Sequence, residues 1–193
     1  MAYLRWEELA SELGIPTPSE ADKVQLTEKI AEAQAILEAR MGMRWEALQD
    51  STRYFDPIAN TYHGVLYLGM DIAQITTVTN GDGTVISGAQ YIVHPSYGPP
   101  YQAIKLRGSS GVQWAYVDDP YDAIAITGRW AYSVTAPPVV KRSCRRLAAW
   151  LYRQKDTGIE VDRIIYAADG STIMPASFPR DVFSPLASMR RFT

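Results

Sequence analysis

Residues 137–155 constrain the fold of this chain more than any other stretch. Prolines stand at 137 and 138, and proline in a first helical turn costs little because its missing N–H would be unbonded there anyway. Val140, Cys144, Leu147, Ala148 and Leu151 recur at helical spacing and form one apolar stripe. Asp156-Thr157-Gly158 supplies the stop, glycine being suited to the left-handed position after a last turn. The other faces carry Lys141, Arg142, Arg145, Arg146, Arg153 and Lys155. Residues 138–158 thus hold six cations against one anion, Asp156, in a chain whose net charge is −2. Positive charge is concentrated on one helix, and the apolar side of that helix requires a partner.

The remaining 172 or so residues must therefore be acidic in sum, which argues against a general nucleic-acid binder, usually basic overall. A hydrophobic share of 47% suffices for a sizeable core, and 193 residues fit one domain or one domain with appendages. The single cysteine excludes an internal disulfide and any cysteine-rich metal site. No apolar run approaches the ~18 residues of a membrane span. The start, Met-Ala-Tyr-Leu-Arg-Trp-Glu-Glu, lacks the basic head and apolar run of a signal peptide, so a cytoplasm-like compartment is expected.

Leu4–Leu13 is expected as a short helix closed by Gly14. After the breaker run Ile15-Pro16-Thr17-Pro18, Ser19 caps a longer helix with Asp22 three residues on, a capping-box arrangement. That helix places Leu26, Ile30, Ala33, Leu37 and Met41 on one side and ends at Gly42, and its stripe is expected to pack on that of the 138–155 helix. A further partner, the N-terminal helix or a neighbouring subunit, is needed to close the pair. From about Thr52 the period changes to two. Residues 53–56, 65–68, 72–79, 90–93, 103–107, 111–114 and 123–127 read as strands, with Asn80-Gly81-Asp82-Gly83 as a hairpin turn. No helical crossover separates them, so the pairing is mostly antiparallel. After Gly158 a short strand, Ile164–Tyr166, precedes a Pro-interrupted tail too broken for a domain and too apolar for a spacer.

The expected class is α+β: a small helical bundle with an inserted, mostly antiparallel β subdomain and a C-terminal arm. The expected division is 1–50 for the N-terminal helices, 51–135 for the β subdomain, 136–158 for the core helix and 159–193 for the arm.

No catalytic constellation survives inspection. His63 and His94 each sit alone in or beside a strand pattern, and Cys144 lies on an apolar stripe, where a thiol packs as a small hydrophobe. Asp118, Asp119 and Asp122 flank Pro120 as an acidic loop. Asn80–Gly83 lacks the later ligands of a calcium loop, and Gly108-Ser109-Ser110-Gly111 lacks the Lys-Ser/Thr of a phosphate loop. No catalytic residue, metal or cofactor is expected, and no enzyme. On the basic helix only Gln154 has base-reading chemistry, so any contact with DNA is to backbone charge.

Taken in order, the residues from about Leu9 to Gly158 resemble the head–tail connector (adaptor, or head-completion) proteins of long-tailed bacteriophages and related gene-transfer particles. The resemblance runs from the helix entering Met41-Gly42 through Arg53-Tyr54-Phe55-Asp56, Leu66-Tyr67-Leu68, the Asp-Gly hairpin and Tyr91-Ile92-Val93. It is clearest at Ile124-Ala125-Ile126-Thr127-Gly128-Arg129-Trp130-Ala131-Tyr132, followed by Pro137-Pro138-Val139-Val140-Lys141 and an apolar helix.

The resemblance implies a structural virion protein forming a ring, usually of twelve copies, under the portal at the head–tail junction. Such a ring meets the portal protein and a stopper or tail-completion protein. It passes double-stranded DNA through its lumen without reading sequence, has no membrane partner, and is assembled in the host cytoplasm. Val140, Cys144, Leu147 and Leu151 are then expected in core or inter-subunit packing. Lys141, Arg142, Arg145, Arg146 and Arg153 form the basic face, meeting lumenal DNA or a neighbouring ring. Met174, Phe178, Phe183, Leu186, Arg190, Arg191 and Phe192 belong to a portal-docking arm. The competing reading is a monomeric or dimeric binding module whose β subdomain holds protein or carbohydrate.

Overall fold

A computed structural model describes residues 3–154, 165–166, 172–173 and 179–189. The chain divides into two compact units, one taking residues up to Gly42 and from Pro138 onward, the other taking Met43–Pro137. The fold is mixed α+β with antiparallel sheets.

In the first unit, α1 (Trp6–Leu13) ends at Gly14 and α2 (Glu20–Met41) ends at Gly42, each glycine with positive φ, 72° and 67°. Ser19 accepts from the Asp22 amide, and the Asp22 carboxylate accepts from the Ser19 amide at 3.0 Å, which settles two donors left over at the start of α2. Leu26, Ile30, Ala33, Leu37 and Met41 are all buried. They meet the stripe of α3 (Pro138–Gln154), on which Val140, Cys144, Leu147 and Ala148 are fully buried and Leu151 is half-buried. Helix α1 lies on both partners, burying Leu9 and Ala10.

The closing partner is a segment of the same chain. Helix α4 (Arg180–Phe183) and the 3-10 turn Ser184–Met189 pack on α3, with Val182 and Leu186 wholly buried. Each such side chain removed from water contributes about 1.5–3 kcal/mol. This corrects the expectation that Leu186 stays open for a partner: its apolar surface is already covered by its own helix unit. Val140, Cys144, Leu147 and Ala148 of the α3 stripe are likewise covered within the chain, whereas Leu151 keeps part of its surface open. Strands β9 (Ile165–Tyr166) and β10 (Thr172–Ile173) pair antiparallel. Met174, Phe178, Arg190, Arg191 and Phe192 lie outside the described residues.

The second unit holds eight strands: β1 (Ser51–Phe55), β2 (Thr61–Tyr62), β3 (Val65–Ile72), β4 (Gln74–Thr79), β5 (Val85–Ile86), β6 (Tyr91–His94), β7 (Tyr101–Leu106) and β8 (Ile124–Arg129). They form two four-stranded sheets, ordered β1-β8-β4-β5 and β2-β3-β7-β6, every neighbouring pair antiparallel. Phe55, Val78, Ile86, Ile124 and Ile126 from the first sheet share one core with Leu66, Leu68, Ile72 and Ile104 from the second. The run 72–79, expected as a single strand, is split at Ala73, where the chain leaves one sheet and enters the other. The Ala73 amide donates to the Arg129 carbonyl at 2.8 Å. Gly128 permits the close approach there, since a Cβ would stand 2.2 Å from the Gln74 carbonyl oxygen.

Residues 111–114, expected as a strand, are not one. A buried side chain from the β4–β5 hairpin holds the end of this stretch: Asn80 Nδ2 donates to the Gln113 carbonyl at 2.9 Å, and the Ala115 amide donates to Asn80 Oδ1 at 3.0 Å. Within the same turn Gly83 supplies the positive φ, whereas Gly81 supplies space, a Cβ there falling 2.5 Å from the Ala115 carbonyl oxygen. The entry and exit of the unit are joined by backbone bonds, Tyr132 to Arg44 at 2.9 Å and Ser133 to Trp45 at 3.2 Å.

Candidate functional site

Helix α3 buries one side and presents the other to solvent, so its cations emerge together. Arg142, Arg145, Arg146 and Arg153 line a groove of about 450 Å³ with Trp150 among them. Glu12 of α1 and Pro179, just ahead of α4, complete its walls. The 3.6-residue repeat brings positions 142, 146, 149 and 153 to one side of the helix, and Trp150 adds an aromatic ring to the lining.

The arginines differ in how they are neutralised. Arg145 pairs with Glu8 of α1 at 3.6 Å, and Arg146 pairs with Asp181 of α4. Both pairs are partly exposed, so each is worth little by itself. Arg145 also keeps a buried Nε–H with no hydrogen-bond partner among the described residues. Arg142 and Arg153 are exposed and have no carboxylate within ion-pair distance among the described residues. Lys141 is half-buried on the same helix, outside the groove lining.

Such an arrangement holds anions. Guanidinium forks take carboxylate or phosphate in bidentate fashion and stack on aromatic rings. Sequence periodicity brought the arginines forward but missed Trp150, Glu12 and Pro179, because the groove depends on α1 and the 179–189 segment meeting α3. Phe183 is half-buried, with the Arg40 guanidinium 4.3 Å from its ring centroid, a contact between helices far apart in sequence.

Other candidates offer no chemistry. Burial, and secondarily the Glu38 carboxylate, pushes the Cys144 thiol up to about 12, so it is a packed hydrophobe and no nucleophile. His63 makes an edge contact with Tyr62, and His94 is exposed at the end of β6. Among the described residues no three His, Cys, Asp or Glu side chains are grouped to hold a metal, and no helix is long and apolar enough to cross a membrane.

The acidic loop is shaped by its own backbone. Tyr121's amide donates to Asp119 Oδ1 at 2.9 Å, and Asp122 adopts φ 53°, a left-handed value uncommon for a residue with a side chain. Tyr121 is left 77% exposed and Val117 69% exposed among the carboxylates of Asp118, Asp119 and Asp122.

No family model and no curated protein matches the chain. Solved structures do. The fold is similar to a chain in the neck of an empty gene transfer agent particle computed with C6 symmetry, at TM-score 0.63 and 15% identity, over 99% of this chain and 91% of that one. It is also similar to a chain in the virion of a native gene transfer agent particle, at TM-score 0.59 and 16% identity with the same two coverages. A chain in the neck of the native particle computed with C12 symmetry aligns at TM-score 0.55 and 14% identity, over 97% of this chain and 88% of that one.

Proposed function

We propose that the chain is a structural protein of a phage-like particle, a head–tail connector forming the adaptor ring between portal and stopper or tail. One observation carries the reading: the likeness to a particle-neck chain extends over 99% of this chain and 91% of that one, so neither fold has a large part without a counterpart. Symmetries of C6 and C12 in those neck structures suit a ring of twelve copies, with DNA passing through a lumen that binds it without sequence preference. Assembly would take place in the host cytoplasm.

A closed ring needs a heterologous contact between unlike faces. With Val140, Cys144 and Leu147 spent in the subunit's own core, that contact must use exposed side chains. In this proposal the portal is gripped by the arm beyond α3, through Met174, Phe178, Phe183, Arg190, Arg191 and Phe192.

The test is removal of the protein from a producing strain, with particles imaged by electron microscopy. Filled heads without tails are expected, and re-expression should restore tailed particles with the chain as a ring at the neck. Tailed particles of normal yield and morphology in its absence would overturn the proposal.

A further inference from the structure

Two features on this chain have complementary chemistry that their own units satisfy only in part. One is the arginine groove of α3, with Arg142 and Arg153 unpaired among the described residues and a buried Arg145 donor unmet. The other is the segment 116–122, Tyr-Val-Asp-Asp-Pro-Tyr-Asp, in which three carboxylates are interleaved with exposed apolar and aromatic side chains. None of Asp118, Asp119 and Asp122 makes an ion pair among the described residues.

The acidic segment is a built feature. Asn80 grips its base through Gln113 and Ala115, and a bridge from Gly81 to Tyr116 fixes where it leaves the sheet. The Asp119 turn and the left-handed Asp122 then shape the tip. A segment held this way loses little entropy when it docks.

We propose that this acidic finger of one copy seats in the arginine groove of the next, as the lateral contact between subunits. Asp118, Asp119 and Asp122 would meet the guanidinium groups of Arg142, Arg145 and Arg153, and Tyr121 would lie against Trp150 and the arginine planes. Groove and finger are unlike surfaces, so the contact is head-to-tail and propagates from copy to copy, forming a ring where the rotation between copies closes. The inference deepens the neck reading, on which the closed ring depends.

The experiment is thiol cross-linking between full-length chains that keep every charge of the pair except Glu12, itself a competitor in the groove. Chains carrying Glu12→Cys are mixed with chains carrying Val117→Cys under mild oxidation. A cross-linked heterodimer is expected. Adding Arg142→Glu and Arg153→Glu to the first chain should cut its yield about tenfold, since two attractions become repulsions, and Asp118→Lys with Asp122→Lys on the second should recover it. A chain bearing both cysteines should give a ladder of oligomers.

Three results would overturn the proposal: no heterodimer, closure of the double-cysteine chain on itself without a ladder, or a yield indifferent to reversal while retention of double-stranded DNA is lost. If particles carry the chain at the neck but no cross-link forms within them, this contact falls and the neck reading stands. If the ladder forms in solution while particles lack the chain, the contact stands and the neck reading falls.

Discussion

Replacing Asn80 with alanine tests how the second unit holds its longest irregular stretch. The side chain is 3% exposed and bonds Gln113 at 2.9 Å and Ala115 at 3.0 Å, thirty-odd residues away. Gln113 is exposed, so water can take over its carbonyl, whereas the half-buried Ala115 amide would be left without a partner. With about 1 kcal/mol for the first loss and about 1–2 for the second, the cost is about 2–3 kcal/mol. The unit has about 95 residues, a size at which each kcal/mol moves Tm by about 4–8 °C, so a fall of about 10–20 °C is expected. Calorimetry reads the Tm, and amide exchange reads the predicted local opening of residues 112–117. Asn80→Asp sharpens the test. It keeps the acceptor for Ala115 but sets a carboxylate against the Gln113 carbonyl, which raises its folded-state pKa. Its stability should therefore be best in acid, where the protonated group can donate, and fall as pH rises through that value. A Tm change under about 3 °C for Asn80→Ala, with unchanged exchange at 112–117, would refute the reasoning.

Leu186→Ala should cost the helix unit about 2–4 kcal/mol in denaturant unfolding, because the side chain is fully buried; a surface-like change below about 0.5 kcal/mol would mean the segment does not rest on α3. Gly128→Ala should destabilise the β unit by about 3 kcal/mol, at the upper end for overpacking, because the added Cβ meets backbone at 2.2 Å; unchanged unfolding would show that the strand crossover relaxes easily. Cys144 should resist alkylation in the folded protein up to strongly alkaline pH, with labelling tracking unfolding. Since its folded value near 12 lies above the ordinary 9.0, its contribution to stability is full below about pH 9 and is lost as pH rises toward 12. Rapid labelling of native protein at pH 8 would contradict the burial.

Helix ends were legible because their causes are local. Ser19 with Asp22, Gly14 and Gly42 act within one turn, and the stripes of α2 and α3 are periodic enough to name every buried residue on α2. Strand alternation was equally local. What escaped reading depends on distance along the chain. The stretch 111–114 has the composition of a strand, yet Asn80, more than thirty residues away, takes the Gln113 carbonyl and the Ala115 amide just after it. Ile72–Thr79 has unbroken β character, and only the pairing of β3 with β7 and β4 with β8 shows that it serves two sheets. Leu186 and Val182 sit in a Pro-interrupted segment whose partner, α3, no spacing rule identifies. The groove was half visible for the same reason: four arginines share a helix, but its walls come from three elements.

The joined entry and exit of the β unit have a consequence for a chain made one residue at a time. Everything between Arg44 and Ser133 that this unit buries is contiguous, so its two sheets can close as soon as β8 has left the ribosome. The helix unit has no such freedom. The stripe of α2 is complete at Met41, but its cover, α3, begins at Pro138. During synthesis the first long helix must therefore wait for α3 through the whole of the insertion, and apolar surface made early is among the last the chain buries.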